Sequence, residues 1–186
     1  LLPIEEYEAS GSDLNDFEFG FDGKKTATFP YDLKKLAKKN GDLDILRSTP
    51  YGNDIVAEFA RQAITEENLG KDADTDFLLI SFSSTDYAGH NFGVNSKEVH
   101  DMYLRLDRKL AELITYLENK IGKDEFTLFL TADHGAIHVP NYLRSKKIKA
   151  GYFDTDELKT QMNEYLQDSF EEELDLIKKV SNQQIF

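Results

Sequence analysis

Phe77-Leu78-Leu79-Ile80-Ser81-Phe82-Ser83 and Phe126-Thr127-Leu128-Phe129-Leu130-Thr131-Ala132 decide the fold. Each is an apolar run of strand length without polar alternation, the pattern of a strand covered on both faces in a parallel sheet. Between them lies helical spacing: Val99, Met102, Tyr103, Leu106, Leu110, Leu113, Ile114 and Leu117 fall on one stripe. Asn95 and Glu98 read as its capping box and Gly122 as its stop. Parallel strands need such a crossover, and it is expected to be right-handed. The fold class is therefore α/β, mainly a parallel sheet flanked by helices.

Outward from this unit the pattern continues. Residues 1–30 read as irregular, with one short strand near Lys25 to Phe29. Asp32 caps a short helix, Leu33 to Lys39, closed by Gly41. Thr49-Pro50-Tyr51-Gly52 reads as a turn, with Asn53 or Asp54 capping a helix that presents Ile55, Val56, Phe59, Ala60, Ala63 and Ile64 and stops at Gly70. Ser84 to Asn95 reads as a loop, as does Pro140 to Gly151 with its basic run Arg144 to Lys149. Asp154 and Glu157 cap a helix reaching about Phe170, and 176–180 and 183–186 read as strand. The whole is expected to form a single α/β domain over 1–186, with 1–30 irregular and 31–186 its core piece.

Composition narrows the function. The 186 residues carry a net charge of −13, and no basic stripe exists to release phosphate counterions, which disfavours nucleic acid. The same charge disfavours an anionic membrane surface. There is no cysteine, so disulfides and thiolate sites are excluded within the chain. No segment reaches the ~18 apolar residues of a membrane span, and no signal peptide is visible. The opening Leu1-Leu2-Pro3, without an initiator Met, reads as processed or cut.

Two clusters carry chemistry: Ser84-Thr85-Asp86-Tyr87-Ala88-Gly89-His90 and Thr131-Ala132-Asp133-His134-Gly135. Both follow the carboxyl end of an expected strand, the edge at which open α/β sheets bind ligands. Asp86, His90, Asp133 and His134 offer the carboxylate oxygens and imidazole nitrogens that zinc accepts. Four donors are too few to saturate two four-coordinate ions, so the site is expected to be completed from elsewhere. Gly89 and Gly135 suit tight backbone beside such ligands. His100 is expected to be solvated on the charged side of the long helix, and His138, though close behind Asp133-His134-Gly135, is not expected to line the site rim. Arg105 and Asp107 are expected to make ion pairs on the helix surface or to a loop.

Ser83 to His90 and Phe129 to Gly135 resemble the alkaline phosphatase superfamily. Thr49-Pro50-Tyr51-Gly52-Asn53 and Tyr103-Leu104-Arg105-Leu106-Asp107 narrow the resemblance to bacterial phosphate-insensitive alkaline phosphatases and their type I phosphodiesterase/nucleotide pyrophosphatase relatives. The resemblance runs from about Phe29 to the chain end. It implies that Asp86 and His90 hold one zinc, with a third His absent here, and that Asp133 and His134 hold the other, with an absent Asp and an absent Thr or Ser nucleophile. It implies a phosphoester substrate, a covalent phospho-enzyme, and a periplasmic or secreted home. On this reading the chain is an internal piece of the partial alkaline phosphatase-like fold, contains no catalytic nucleophile, and is inactive alone. A phosphodiesterase or nucleotide pyrophosphatase of the same superfamily is the alternative, as is a non-catalytic metal-binding or interaction domain. A calcium-dependent sulfatase fits less well, because hard calcium prefers oxygen ligands to imidazole. The oligomeric state is left open.

Overall fold

The computed structural model describes residues 3, 6–8, 11–14, 18–170, 175–181 and 184–186. They fall into two compact units, 1–142 and 143–186.

The first unit is built on helices. α1 spans Leu33–Ala37, and the Asp32 carboxylate accepts from the Lys35 amide at 3.3 Å, as its N-cap role requires. A 3-10 helix, Asp42–Ser48, follows Gly41, whose φ of 77° is left-handed. α2 runs Pro50–Glu66, starting four or five residues earlier than its sequence suggests. The expected turn at Thr49 to Gly52 is instead the helix start. Pro50 sits at N1, where its fixed φ suits the first turn and its missing N–H is no loss. The buried stripe of α2 is Asn53, Ala57, Ala60 and Ile64, while Ile55 and Phe59 (76% exposed) face away. Small residues won this face because α2 packs closely on α4 and on the next helix.

That next helix, α3, spans Ser84–Phe92, where a loop was expected. Ser84, Ala88 and Phe92 recur four apart and are buried, one on each turn. Gly93, with φ 80°, ends it. α4 runs Lys97–Lys120 as its spacing predicts, but its N-cap is Ser96, whose Oγ accepts from the Val99 amide at 3.1 Å. The expected cap, Asn95, binds His138 instead. The core gathers Phe21, Leu36, Ile45, Ala88, Phe92, Val99 and Met102, with Phe21 set edge-on to Phe92 and Tyr31.

Neither expected parallel strand is paired. Among the described residues, 77–83 and 126–132 belong to no ladder, and the strand expected near Lys25 to Phe29 does not form. Phe77 is 88% and Phe129 89% exposed. A strand is defined by its neighbour's amides and carbonyls, and no described backbone supplies them to these segments. The only sheet among the described residues is in the second unit: β1, Val180–Ser181, antiparallel to β2, Gln184–Ile185. It realises the two expected terminal strands as a short hairpin; Gln183 lies outside the described residues.

The second unit also holds the second half of α5, Pro140–Ser145, within the expected loop, and α6, Thr155–Phe170. Asp154 Oδ1 accepts from the amides of Asp156 and Glu157, the expected cap. Asn163 is buried and exchanges two hydrogen bonds with the Ile177 backbone, at 2.9 and 2.8 Å, tying α6 to the hairpin segment. Among the described residues no helix is long and apolar enough to cross a membrane.

Glu98, expected in a capping box, is turned inward. Tyr31 Oη–H donates to its Oε1 at 2.5 Å, while its Oε2 is buried without a hydrogen-bond partner. Burial raises its pKa to about 7; the Tyr31 hydrogen bond opposes this, and the Asp13 charge adds to it. A folded pKa above the unfolded 4.5 means the native state binds the extra proton between the two values. This contribution is fully present below about pH 4.5 and is lost as pH rises through about 7, a change of about 3 kcal/mol. Urea unfolding at pH 5 and pH 8 should therefore give a smaller pH dependence for Glu98→Gln than for the wild type. Matching pH dependences would remove the assignment.

Candidate metal centre

The first donor pair is placed by α3. Its buried stripe, Ser84, Ala88 and Phe92, pins one side of the helix to the core. Asp86 and His90 lie two positions beyond Ser84 and Ala88, about 200° around the helix, and so face outward. Their i, i+4 spacing stacks them on adjacent turns, with His90 Nε2 3.4 Å from Asp86 Oδ2. The helix that replaces the expected loop therefore sets this pair's geometry.

The second pair lies in the irregular stretch after 126–132. His134 Nε2 is 3.8 Å from Asp133 Oδ2 and 3.7 Å from Asp86 Oδ1. Asp86 thus faces one histidine with each carboxylate oxygen, and the four residues form one chain of near neighbours drawn from two distant segments. All are accessible: the Asp86 side chain is 46% exposed, and that of Asp133 91%.

The tautomer of His134 follows from its partner. Its Nδ1 lies 2.9 Å from the Gly135 carbonyl, which can only accept, so Nδ1 carries the hydrogen. In the neutral ring, Nε2 then presents its lone pair toward the two carboxylates. Fixing one imidazole nitrogen on a backbone carbonyl while the other is offered is the usual arrangement of a metal-binding histidine. The Gly135 hydrogen bond, followed by the Asp133 and Asp86 charges, raises the His134 pKa.

The donor set fits zinc in type: neutral imidazole and carboxylate, without cysteine. It does not fill a site. Among the described residues no three carboxylate or imidazole donors converge on one point. What is present is two adjoining pairs.

Among the other residues singled out in the sequence, Arg105 makes the expected helix ion pair, while the two glycines and His100 depart from their expectations. A Cβ at Gly89 or Gly135 would meet nothing within 4 Å, so crowding does not demand glycine at either position. His100 is not solvated: its Nδ1 is buried without a hydrogen-bond partner, and its ring packs edge-on to Tyr7 at 5.3 Å. His138 hydrogen-bonds Asn95 at 2.7 Å and packs on Tyr142. Arg105 pairs within α4 with Asp101, at 2.9 Å, and Asp101 also accepts from Tyr7 Oη at 2.7 Å; Asp107 is exposed. Sequence reasoning missed Asn53, which is buried and donates to Thr85, the residue before Asp86. Its signal was a polar residue in line with Ala57, Ala60 and Ile64.

Comparison with known proteins gives the family. The sequence profile of the type I phosphodiesterase / nucleotide pyrophosphatase family matches residues 16–179. A protein of Myroides odoratus named a calcium-transporting ATPase is 48% identical over the whole chain, which covers 34% of it. The alkaline phosphatase PhoV of Synechococcus elongatus is 51% identical over 78% of the chain, covering 26% of PhoV. The crystal structure of wild-type alkaline phosphatase PafA superposes on the entire chain with a TM-score of 0.91 at 41% identity, matching 35% of PafA. The chain thus spans about a quarter to a third of the length of these relatives. It belongs to the type I phosphodiesterase / nucleotide pyrophosphatase family, within the alkaline phosphatase superfamily.

Proposed function

We propose that this chain supplies the paired Asp and His donors of a two-zinc phosphoester hydrolase acting on phosphate monoesters. Asp86 with His90 would hold one ion, and Asp133 with His134 the other. The observation that carries the reading is the approach of Asp86 Oδ1 to His134 Nε2, 3.7 Å, between segments far apart in sequence. Zinc, when bound, supplies Lewis-acid activation of the attacking oxygen and stabilisation of the leaving oxygen in an in-line displacement. The residues of this chain orient the donors: α3 sets Asp86 and His90, and the Gly135 carbonyl sets the His134 ring.

The nucleophile, a Thr or Ser, and the remaining ligands belong to the part of the relatives' length that this chain does not span. The chain alone is therefore read as inactive and as a weak zinc binder, because affinity depends on a full, preorganised ligand set. In the complete protein, the apolar segments 77–83 and 126–132 would find strand partners. An exported location, periplasmic or secreted, accompanies the reading. The family's own description favours one second reading, hydrolysis of a phosphodiester or nucleotide pyrophosphate. The donor pairs serve either ester.

Calorimetric titration with zinc tests the assignment. The wild type should take up zinc, and Asp133→Ala with His134→Ala should lose uptake at their pair. Equal uptake by the two proteins would remove the metal reading and leave an acidic α/β domain with loop-end histidines.

A further inference from the structure

We propose that Gly52 and Asn53 are positioning residues for the donor site, fixing the first turn of α3 and so aiming Asp86 at His134. The metal consequence rests on the function proposed above; the geometric claim stands separately.

Two successive residues of α2 meet two successive residues of α3. Gly52 lies against Ser84: a Cβ at position 52 would come within 2.1 Å of Ser84 Oγ and 2.8 Å of the Leu46 carbonyl oxygen. Distances this short cannot be absorbed by a side-chain tip alone, since one of them is to backbone. Glycine is therefore what lets α2, the 3-10 helix and the start of α3 close on one another. Beside it, Asn53 Nδ2 donates to Thr85 Oγ1 at 3.1 Å and approaches Met102 Sδ at 3.4 Å. Asp86 follows immediately.

The chemistry of Asn53 argues against a role in stability. It is 3% exposed, and its Oδ1 is buried with no hydrogen-bond partner. An apolar residue of the same size would avoid that unpaired acceptor. What Asn53 offers in return is its amide hydrogens, one to α3 and one to α4. Through them three helices are held in a fixed relation at the residue preceding the first donor. A shift of a fraction of an ångström in this turn moves the Asp86 carboxylate by as much, and donor geometry tolerates little displacement.

The test compares Asn53→Ala, Thr85→Val and their double variant with the wild type in zinc titrations, alongside Leu113→Ala. Leu113 is buried in α4, so its variant loses stability without touching the Asn53–Thr85 bond. Each single variant should weaken zinc binding about tenfold, the range for removing a group that orients a ligand. The double variant should be no weaker than either single, because both remove one hydrogen bond. Leu113→Ala should bind zinc as the wild type does. Unchanged affinity in Asn53→Ala and Thr85→Val, or an equal loss in Leu113→Ala, would overturn the proposal. Should Asn53→Ala fail to fold, Thr85→Val carries the test, since it leaves Asn53 in place. If the wild type takes up no zinc, the metal reading falls, and residual dipolar couplings of the 84–92 amides decide the positioning claim. Reorientation of α3 in Thr85→Val supports it, and unchanged couplings refute it.

Discussion

Asp86→Ala should lower zinc affinity by more than about 100-fold, beyond the range for losing a group that merely orients a ligand. It should also cost more than Asp133→Ala. Asp86 is the donor shared in space: Oδ2 faces His90 at 3.4 Å and Oδ1 faces His134 at 3.7 Å. Truncating it removes a ligand and strips both imidazoles of their common carboxylate. Asp133 adjoins only His134, and its side chain is far more exposed, so its removal leaves the α3 pair intact. Competition against a chromophoric chelator ranks the two variants. Asp86→Ala binding as tightly as the wild type, or loss confined to Asp133→Ala, would show that the two clusters do not form one site.

Met102→Ala should destabilise the first unit by about 3 kcal/mol, within the 2–5 kcal/mol span for truncating a buried long side chain. Met102 is 1% exposed and sits where α4 faces the core cluster of Phe92, Val99 and Ala88. Its loss leaves a cavity and takes away the sulfur that Asn53 Nδ2 approaches. For a chain of this length the melting temperature should fall by about 6–12 °C. Tyr103→Ala, one residue on but exposed, should change stability by no more than about 0.5 kcal/mol. Calorimetry on the two variants checks the contrast, and similar melting temperatures would mean that the core is misplaced.

The helices were legible where they carried local signals. Helix α4 and the Asp154 cap of α6 follow short-range patterns, and both are present, though of the α4 stripe Val99, Met102 and Leu113 are buried while Tyr103 is exposed. α3 was not read because Ser84 to Phe92 is rich in turn-forming residues; the recurrence of Ser84, Ala88 and Phe92 every four residues was its only signal. On α2 the expected Ala60 and Ile64 are buried, but hydrophobicity ranked Ile55 and Phe59 above Asn53 and Ala57, which take the rest of the buried face. Close approach of three helices favours the small residues instead, and that approach is tertiary information. The apolar runs at 77–83 and 126–132 were conspicuous, but pairing depends on what lies beside a strand, which no run of residues states about itself. The four candidate donors were singled out by residue type and position at segment ends. Their approach in space was an inference from the expected sheet, yet the structure achieves it through a helix and an irregular segment.

The Gly135 carbonyl has a consequence for loading. By holding His134 Nδ1–H it restricts the ring's rotation during folding, so a cation bound as proposed would have less entropy to remove. The same bond makes the opposite nitrogen more basic, and protons then compete with cations for a single lone pair. On the proposed reading occupancy would be a titration as well as a capture: alkaline surroundings would favour the ion, and acid would release it.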